Sequence, residues 1–303
     1  MTWLIVAIVS YLILAAAFLV DKYLLTGSIA NPKVYTFYAG MAGVVALVLI
    51  PFVGFEIPGA WQIFLALACG IFFVGGLFWF YKALQLFEPS RVVPALGGIL
   101  PVFSFLLILI FSKGKITLTL PDYIAFALLI LGSVLITYKK TQKISSKCLL
   151  ISSIAAIFFA FYFVLAKYVY LGQPFWSGLI WIRIGSFLAA LGFLLTREVR
   201  GELFKPKKTG FQGKTAILFL SNQAGGAVGN VLQSWAIALA PLVYVATINA
   251  LAGVQYVFLF IFSIILSSKF PKILKEEVSK EIIAQKIFAI LIIGGGLAIL
   301  AFK

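Results

Sequence analysis

The sequence predicts an all-α integral membrane protein of about ten transmembrane helices, arranged as two inverted five-helix repeats. Three observations predict it: an apolar composition, a series of long continuous apolar runs, and collinear internal matches between the two halves. The composition comes first. Of 303 residues, 63% are hydrophobic and 11% charged, with a mean hydropathy of +1.13. A soluble domain needs far more polar surface to stay dissolved, so a bilayer is the solvent this chain fits.

A helix needs roughly 20 apolar residues to cross the hydrocarbon. Runs of that kind lie near 2–20, 34–54, 60–81, 91–112, 121–138, 148–171, 175–195, 215–238, 241–267 and 282–302. They are continuous, whereas the strands of a membrane barrel alternate. The first, "WLIVAIVSYLILAAAFLV" (3–20), is long enough to span and reads as a retained helix rather than a cleaved leader.

Charge orders these runs. The formal net charge is +15, but the basic residues sit between apolar runs, which suits cytoplasmic loops and anionic lipid headgroups better than nucleic acid. The chain holds no soluble module to read bases, so no nucleic-acid partner is expected. Lys139, Lys140, Lys143 and Lys147 follow run five; Arg197, Arg200, Lys205, Lys207, Lys208 and Lys214 follow run seven. The loops after runs two and eight have none. The positive-inside rule therefore places the odd loops in the cytoplasm and both termini outside, in a multi-pass protein of the plasma or inner cell membrane. Cys69 and Cys148 lie in separate runs and are expected simply to pack. The absence of histidine excludes imidazole chemistry, and neither metal nor cofactor is expected.

The repeat emerges from four collinear blocks. A shift of 145 aligns Leu4, Ala15, Phe18, Lys22, Tyr23 and Gly27 with Leu149, Ala160, Phe163, Lys167, Tyr168 and Gly172. A shift of 142 aligns Pro32 and Gly43 with Pro174 and Gly185. A shift of 155 aligns residues 77–105 with 232–260, including Leu77 with Leu232 and Gly98 with Gly253. A shift of 162 aligns Ala127, Leu129, Ile130 and Gly132 with Ala289, Leu291, Ile292 and Gly294. Residues 1–147 and 148–303 are thus two five-helix units. Five is odd, so the second enters the membrane from the opposite side, an arrangement typical of alternating-access carriers with a midplane site.

These residues resemble the EamA-type family of drug/metabolite transporters over essentially the whole chain. The likeness rests on "FLVDKY" and "FVLAKY" ending the first helix of each half and on "WIRIGSF" (181–187). "YKALQLFEPSRVVPALGGILPVFSFLLILI" (81–110) and "AFALLILGSVLI" (125–136) continue it. Met41 stands in the first half where Arg183 stands in the second, a departure from the pattern. The resemblance implies two five-helix repeats and a transport function.

Several residues are candidates for carrying transport. Arg183 sits within run seven, and an arginine centred in a bilayer costs at least roughly 2.5–3.5 kcal/mol, so it needs a wet cavity, a carbonyl cluster or an anion. Asn222, Gly226, Gly229, Asn230 and Gln233 form one helical stripe in run eight. The stripe reads either as interhelical hydrogen bonding or as a solvated pathway. Asn249, Gly253 and Tyr256 match Pro94, Gly98 and Pro101, and each trio shares a helix face that either packs or lines a cavity. Trp79, Tyr81 and Trp235 would shape an apolar wall or anchor at the interface. Lys22–Tyr23 and Lys167–Tyr168 are read as snorkelling anchors or as gating and counter-charge groups.

The nine acids fall at or beyond the ends of the apolar runs, which speaks against export of lipophilic cations by a buried carboxylate. Asp21 is the one acid placed to carry a proton near a repeated element. The leading expectation is a non-enzymatic secondary transporter for amino acids or other zwitterionic or anionic solutes, with the lipid bilayer and a small solute as partners. A membrane lipid-modifying enzyme and a non-transporting scaffold are the alternatives. Monomer and oligomer both remain open.

Overall fold

The computed structural model describes residues 2–26, 31–87, 89–115, 118–138, 145–204, 213–269 and 280–302. It contains helices and no strands among the described residues. In order they are α1 (Thr2–Thr26), α2 (Pro32–Met41), α3 (Ile50–Val53), α4 (Ala60–Leu86), α5 (Pro89–Phe111), α6 (Leu120–Thr137), α7 (Ser146–Gly172), α8 (Phe175–Leu191), α9 (Arg197–Phe204), α10 (Lys214–Leu239), α11 (Val245–Ala250), α12 (Ala252–Lys269) and α13 (Lys280–Ala301). Three 3-10 segments, Ala42–Leu49, Gly192–Leu195 and Leu242–Tyr244, extend α3, α8 and α11.

Local chemistry sets the helix starts. Asn31 caps α2, its side chain accepting from the Lys33 and Val34 amides at 2.9 and 3.4 Å, with Pro32 preset for the first turn. Thr119 and Asp122 form a capping box on α6. Ser145 caps α7 through the Cys148 amide at 3.2 Å. Gly54, with φ +65°, closes α3 in the left-handed region that glycine occupies without strain.

Six helical segments are long and apolar enough to cross a membrane: Thr2–Leu25, Pro32–Val53, Ala60–Leu86, Ser146–Gly172, Phe175–Leu195 and Leu242–Leu259. This is a helical membrane protein. Shorter apolar stretches run over Ala95–Phe111, Leu120–Ile136 and Ala284–Leu300. The amides of α10 keep it out of the strongly apolar set, although it is 26 residues long.

The boundaries depart from the sequence reading in four places, one of them the ninth run, which is 3-10 over Leu242–Tyr244 and breaks at Leu251 between α11 and α12. The second run is not one α-helix: eight of its residues, Ala42–Leu49, are 3-10. Part of the basic linker after the seventh run is the helix α9. The first run continues as helix through Thr26, so Asp21 belongs to the body of α1 rather than to a loop. Asp-Lys-Tyr carries no backbone stop signal, and α1 passes through it.

Packing joins the two halves throughout. α1 lies along α10, α7 lies along α4, and α6 lies along α13. α12 also packs on α1, and α5 on α7. Trp3 stacks on Tyr244 at 5.3 Å, and the Tyr244 hydroxyl donates to Asp122 at 3.2 Å; these contacts mark the face that carries the start of α1. On the opposite face, Lys33 pairs with Glu198 of α9 at 2.6 Å.

Candidate functional site

α1, α2 with its 3-10 extension, α4, α5, α7, α8, α10 and α12 line a half-open cavity of about 480 Å³, while α6 and α13 pair outside it. The α1 wall follows helical periodicity: Tyr11, Leu14, Phe18 and Asp21 recur at three- and four-residue spacing. α10 supplies Asn222, Gln223, Gly226, Asn230 and Gln233, and α12 supplies Gln255 and Tyr256. Four of the five residues of the predicted stripe line the cavity, while Gly229 packs on Leu14 of α1, and Asn222 and Gln233 also bond across to α1.

Among the described residues, two of the lining side chains carry formal charge, Asp21 and Arg183. Asp21 accepts hydrogen bonds from the Tyr35 hydroxyl and from Asn222 Nδ2, the latter at 2.7 Å. Tyr35 is itself held edge-on by Tyr81 at 4.7 Å and Phe219 at 5.4 Å. Asn222 belongs to α10 and Asp21 to α1, so this bond joins the two halves. Arg183 lies half-buried on α8 with its guanidinium 5.0 Å from the centre of the Phe73 ring, a cation–π contact of about 0.5–2 kcal/mol. Tyr162, Tyr170 and Cys69 lie within its electrostatic reach. A charge that is costly in hydrocarbon thus has a ring face and a cavity in place of lipid.

The remaining amides are oriented by their neighbours. Gln233 donates to the Tyr11 hydroxyl at 3.1 Å, and that hydroxyl donates to the Ile248 carbonyl at 2.7 Å. Asn230 donates to the Gly226 carbonyl of its own helix at 2.8 Å. Tyr256 packs against Gly97, where a Cβ would stand 3.0 Å from its ring.

The structure separates other candidates from the cavity. Asn249 is fully buried and donates to Ser104 Oγ at 2.8 Å, so it bonds α11 to α5. On α5, Gly97, one residue from the predicted Gly98, turns toward the cavity. Gly98 faces Val134 of α6, and Pro101 is buried outside the lining set. Trp79 points away, with Lys82 Nζ 4.6 Å from its ring centre, whereas Tyr81, two residues on, lines the cavity. Lys167 is 3% exposed and donates to the Ala238 carbonyl at 2.9 Å, satisfying the C-terminal end of α10. Tyr168 meets Phe111 edge-on at 6.0 Å, and Tyr23 is exposed. The side chains of Lys22 and Pro94 lie outside the described residues.

Sequence reasoning missed Tyr35, Tyr11 and Phe73 as parts of the site and placed Asp21 at a helix end. The signal that would have found Asp21 is the spaced Tyr11, Leu14, Phe18, Asp21 stripe.

On Glu198, outside the bilayer, a hydrogen bond from Lys33 holds the carboxyl below the usual carboxylate range.

A helical membrane protein with a largely apolar cavity that carries a few polar side chains is the class that fold and site define. No family model matches the chain, and no curated protein matches it. Among solved structures, one described only as "Crystal structure of protein" aligns with a TM-score of 0.67 at 16% identity, covering 99% of this chain and 96% of its own. That likeness concerns the fold alone.

Proposed function

We propose that the protein is a secondary carrier of small zwitterionic organic solutes, working by alternating access between two inverted five-helix repeats. The observation that carries this reading is a cavity of about 480 Å³ whose walls come from both halves and hold, among the described residues, one carboxylate and one guanidinium. Volumes of 300–1,000 Å³ suit small-molecule sites. The paired exchange of helices, α1 on α10 and α4 on α7, supports the repeat, because each pair joins the first helix of one unit to the third of the other. Ten spans follow when the shorter apolar helices and α10 are counted with the six long ones. The resemblance to EamA-type drug/metabolite transporters is consistent with this reading, and the basic loops favour a cytoplasmic face bearing α9 in the cell membrane.

The presence of Asp21 refines the substrate class. A purely anionic solute would meet an uncompensated carboxylate, whereas a zwitterion offers an ammonium to Asp21 and a carboxylate to Arg183. A thermal-shift panel tests it with neutral α-amino acids, their N-acetyl derivatives and their methyl esters, since a ligand of the native state raises its stability. Stabilisation by the free amino acids above both blocked forms is expected. Equal response to all three, or to none, would defeat the zwitterion reading.

A further inference from the structure

The two halves differ at one pair of equivalent helix crossings. α4 packs along α8 through Gly70 and Gly185. A Cβ on Gly185 would lie 2.5 Å from the Leu67 carbonyl oxygen, and one on Gly70 would overlap Ile182 O and Ser186 N. Only glycine permits that backbone approach. The same internal shifts, 155 and 142, map Gly70 onto Gly225 of α10 and Gly185 onto Gly43 of the second span. There the crossing is open: Gly225 has nothing within 4 Å, and Gly43 faces the Arg183 carbonyl of α8 instead of α10.

Two further observations fall on this asymmetry. Ala42–Leu49 is 3-10 over 8 residues, whereas its counterpart 184–191 is α-helical within α8. Runs of 3-10 longer than about four residues are uncommon and mark hinges. At about 2.0 against about 1.5 Å rise per residue, eight residues shorten by about 4 Å on becoming α-helical. The closed crossing, moreover, adjoins unsatisfied polarity. Gln62 Oε1 and both ends of the Gln173 amide are buried with no partner among the described residues, and the buried Tyr170 hydroxyl and Ser234 Oγ have at most a weak contact with each other. They lie toward the ends of α7 and α10 and the start of α4. Polar groups of this kind call for an explanation, and periodic hydration is one.

We propose that the protein has a second state in which α10 closes on the second span through Gly43 and Gly225, while α4 and α8 part at Gly70 and Gly185. The parting wets the Tyr170, Ser234 and Gln62 groups and opens the cavity toward the face bearing the start of α1. The 3-10 stretch is the element that changes length. This inference rests on the carrier reading for its purpose but not for its test.

Val45 and Val228 are exposed on the two helices that would approach each other. Spin labels on Val45→Cys and Val228→Cys, in full-length protein carrying Cys69→Ala and Cys148→Ala and reconstituted in lipid, report their separation. Two distance populations are expected, and Gly225→Leu is expected to abolish the shorter one while leaving the fold intact, since Gly225 borders open space. Identical populations with and without Gly225→Leu, or a single distance in both, would overturn the proposal. A second measurement uses Ser234→Cys, in the same cysteine-replaced protein without the label sites. A membrane-impermeant thiol reagent should modify it at least tenfold faster than in the same protein with Gly225→Leu, and equal rates would overturn the proposal. Solute flux separates the two readings. Transport at the wild-type rate by Gly225→Leu sinks the gate and leaves the carrier standing; a Gly225-dependent distance change with no solute moved supports the gate and sinks the carrier.

Discussion

The same substitution at Gly70 and at Gly225 is expected to shift stability in opposite directions. At Gly70 an added methyl overlaps Ile182 O and Ser186 N and stands 2.6 Å from the Gly185 carbonyl carbon. These are backbone atoms of α8 and cannot rotate away. Restoring ordinary contact of about 3.5 Å requires the helices to separate by about 1 Å, loosening the interface around them; such overpacking costs about 1–3 kcal/mol. At Gly225 the methyl meets nothing within 4 Å, and alanine in a helix interior is better than glycine by about 0.5–1 kcal/mol. The pair should therefore differ by about 1.5–4 kcal/mol, roughly a 10- to 900-fold ratio in the folding equilibrium. Reversible unfolding in mixed micelles, followed by tryptophan fluorescence, measures both. A loss for Gly70→Ala with a gain for Gly225→Ala is the expected pattern; equal shifts of the same sign would refute the crossing geometry.

Other sites yield separate expectations. Asn249→Ala removes the bond to Ser104 inside the core and should destabilise by about 1–3 kcal/mol, while leaving the affinity for any stabilising solute unchanged. Lys167→Met leaves the Ala238 carbonyl without its donor; hydrogen exchange should accelerate in the last turn of α10 and not in its middle. For the Lys33–Glu198 pair, the Glu198 carboxyl is held below its ordinary pKa, so its contribution is fully present above the unfolded value of about 4.3 and is lost as pH falls through the lowered one. Carboxyl titration by infrared difference spectroscopy should show the Glu198 midpoint rising in Lys33→Ala, and an unchanged midpoint would remove the pair from the account.

What the sequence made legible was periodicity and placement. Apolar run length marked the helices, and the spacing of Asn222, Asn230 and Gln233 marked the face of α10 that lines the cavity. Arg183 was legible because a guanidinium in an apolar run needs a special environment. The rest depended on tertiary contacts that a linear pattern does not carry. Asn249 and Lys167 look polar and therefore functional, yet each satisfies a buried partner, Ser104 Oγ and the Ala238 carbonyl. Asp21 looked terminal because the apolar run stops at Val20, whereas the helix continues to Thr26. Trp79 and Tyr81 differ by two residues, about 200° around a helix, and only the fold decides which of them faces inward. The 3-10 conformation of Ala42–Leu49 leaves no trace in "AGVVALVL", whose residues accept either helix.

A cavity shared by both halves, with Asp21 and Arg183 in its walls, is proposed to pass a small zwitterion across the bilayer. Counterflow of a radiolabelled neutral amino acid into proteoliposomes tests it most directly, beside Asp21→Asn and Arg183→Met variants that retain the native unfolding midpoint. Saturable exchange in the wild type, reduced at least about tenfold in each variant (about 1.4 kcal/mol), is predicted. Exchange that ignores both substitutions, or no exchange of any zwitterion tried, would contradict it.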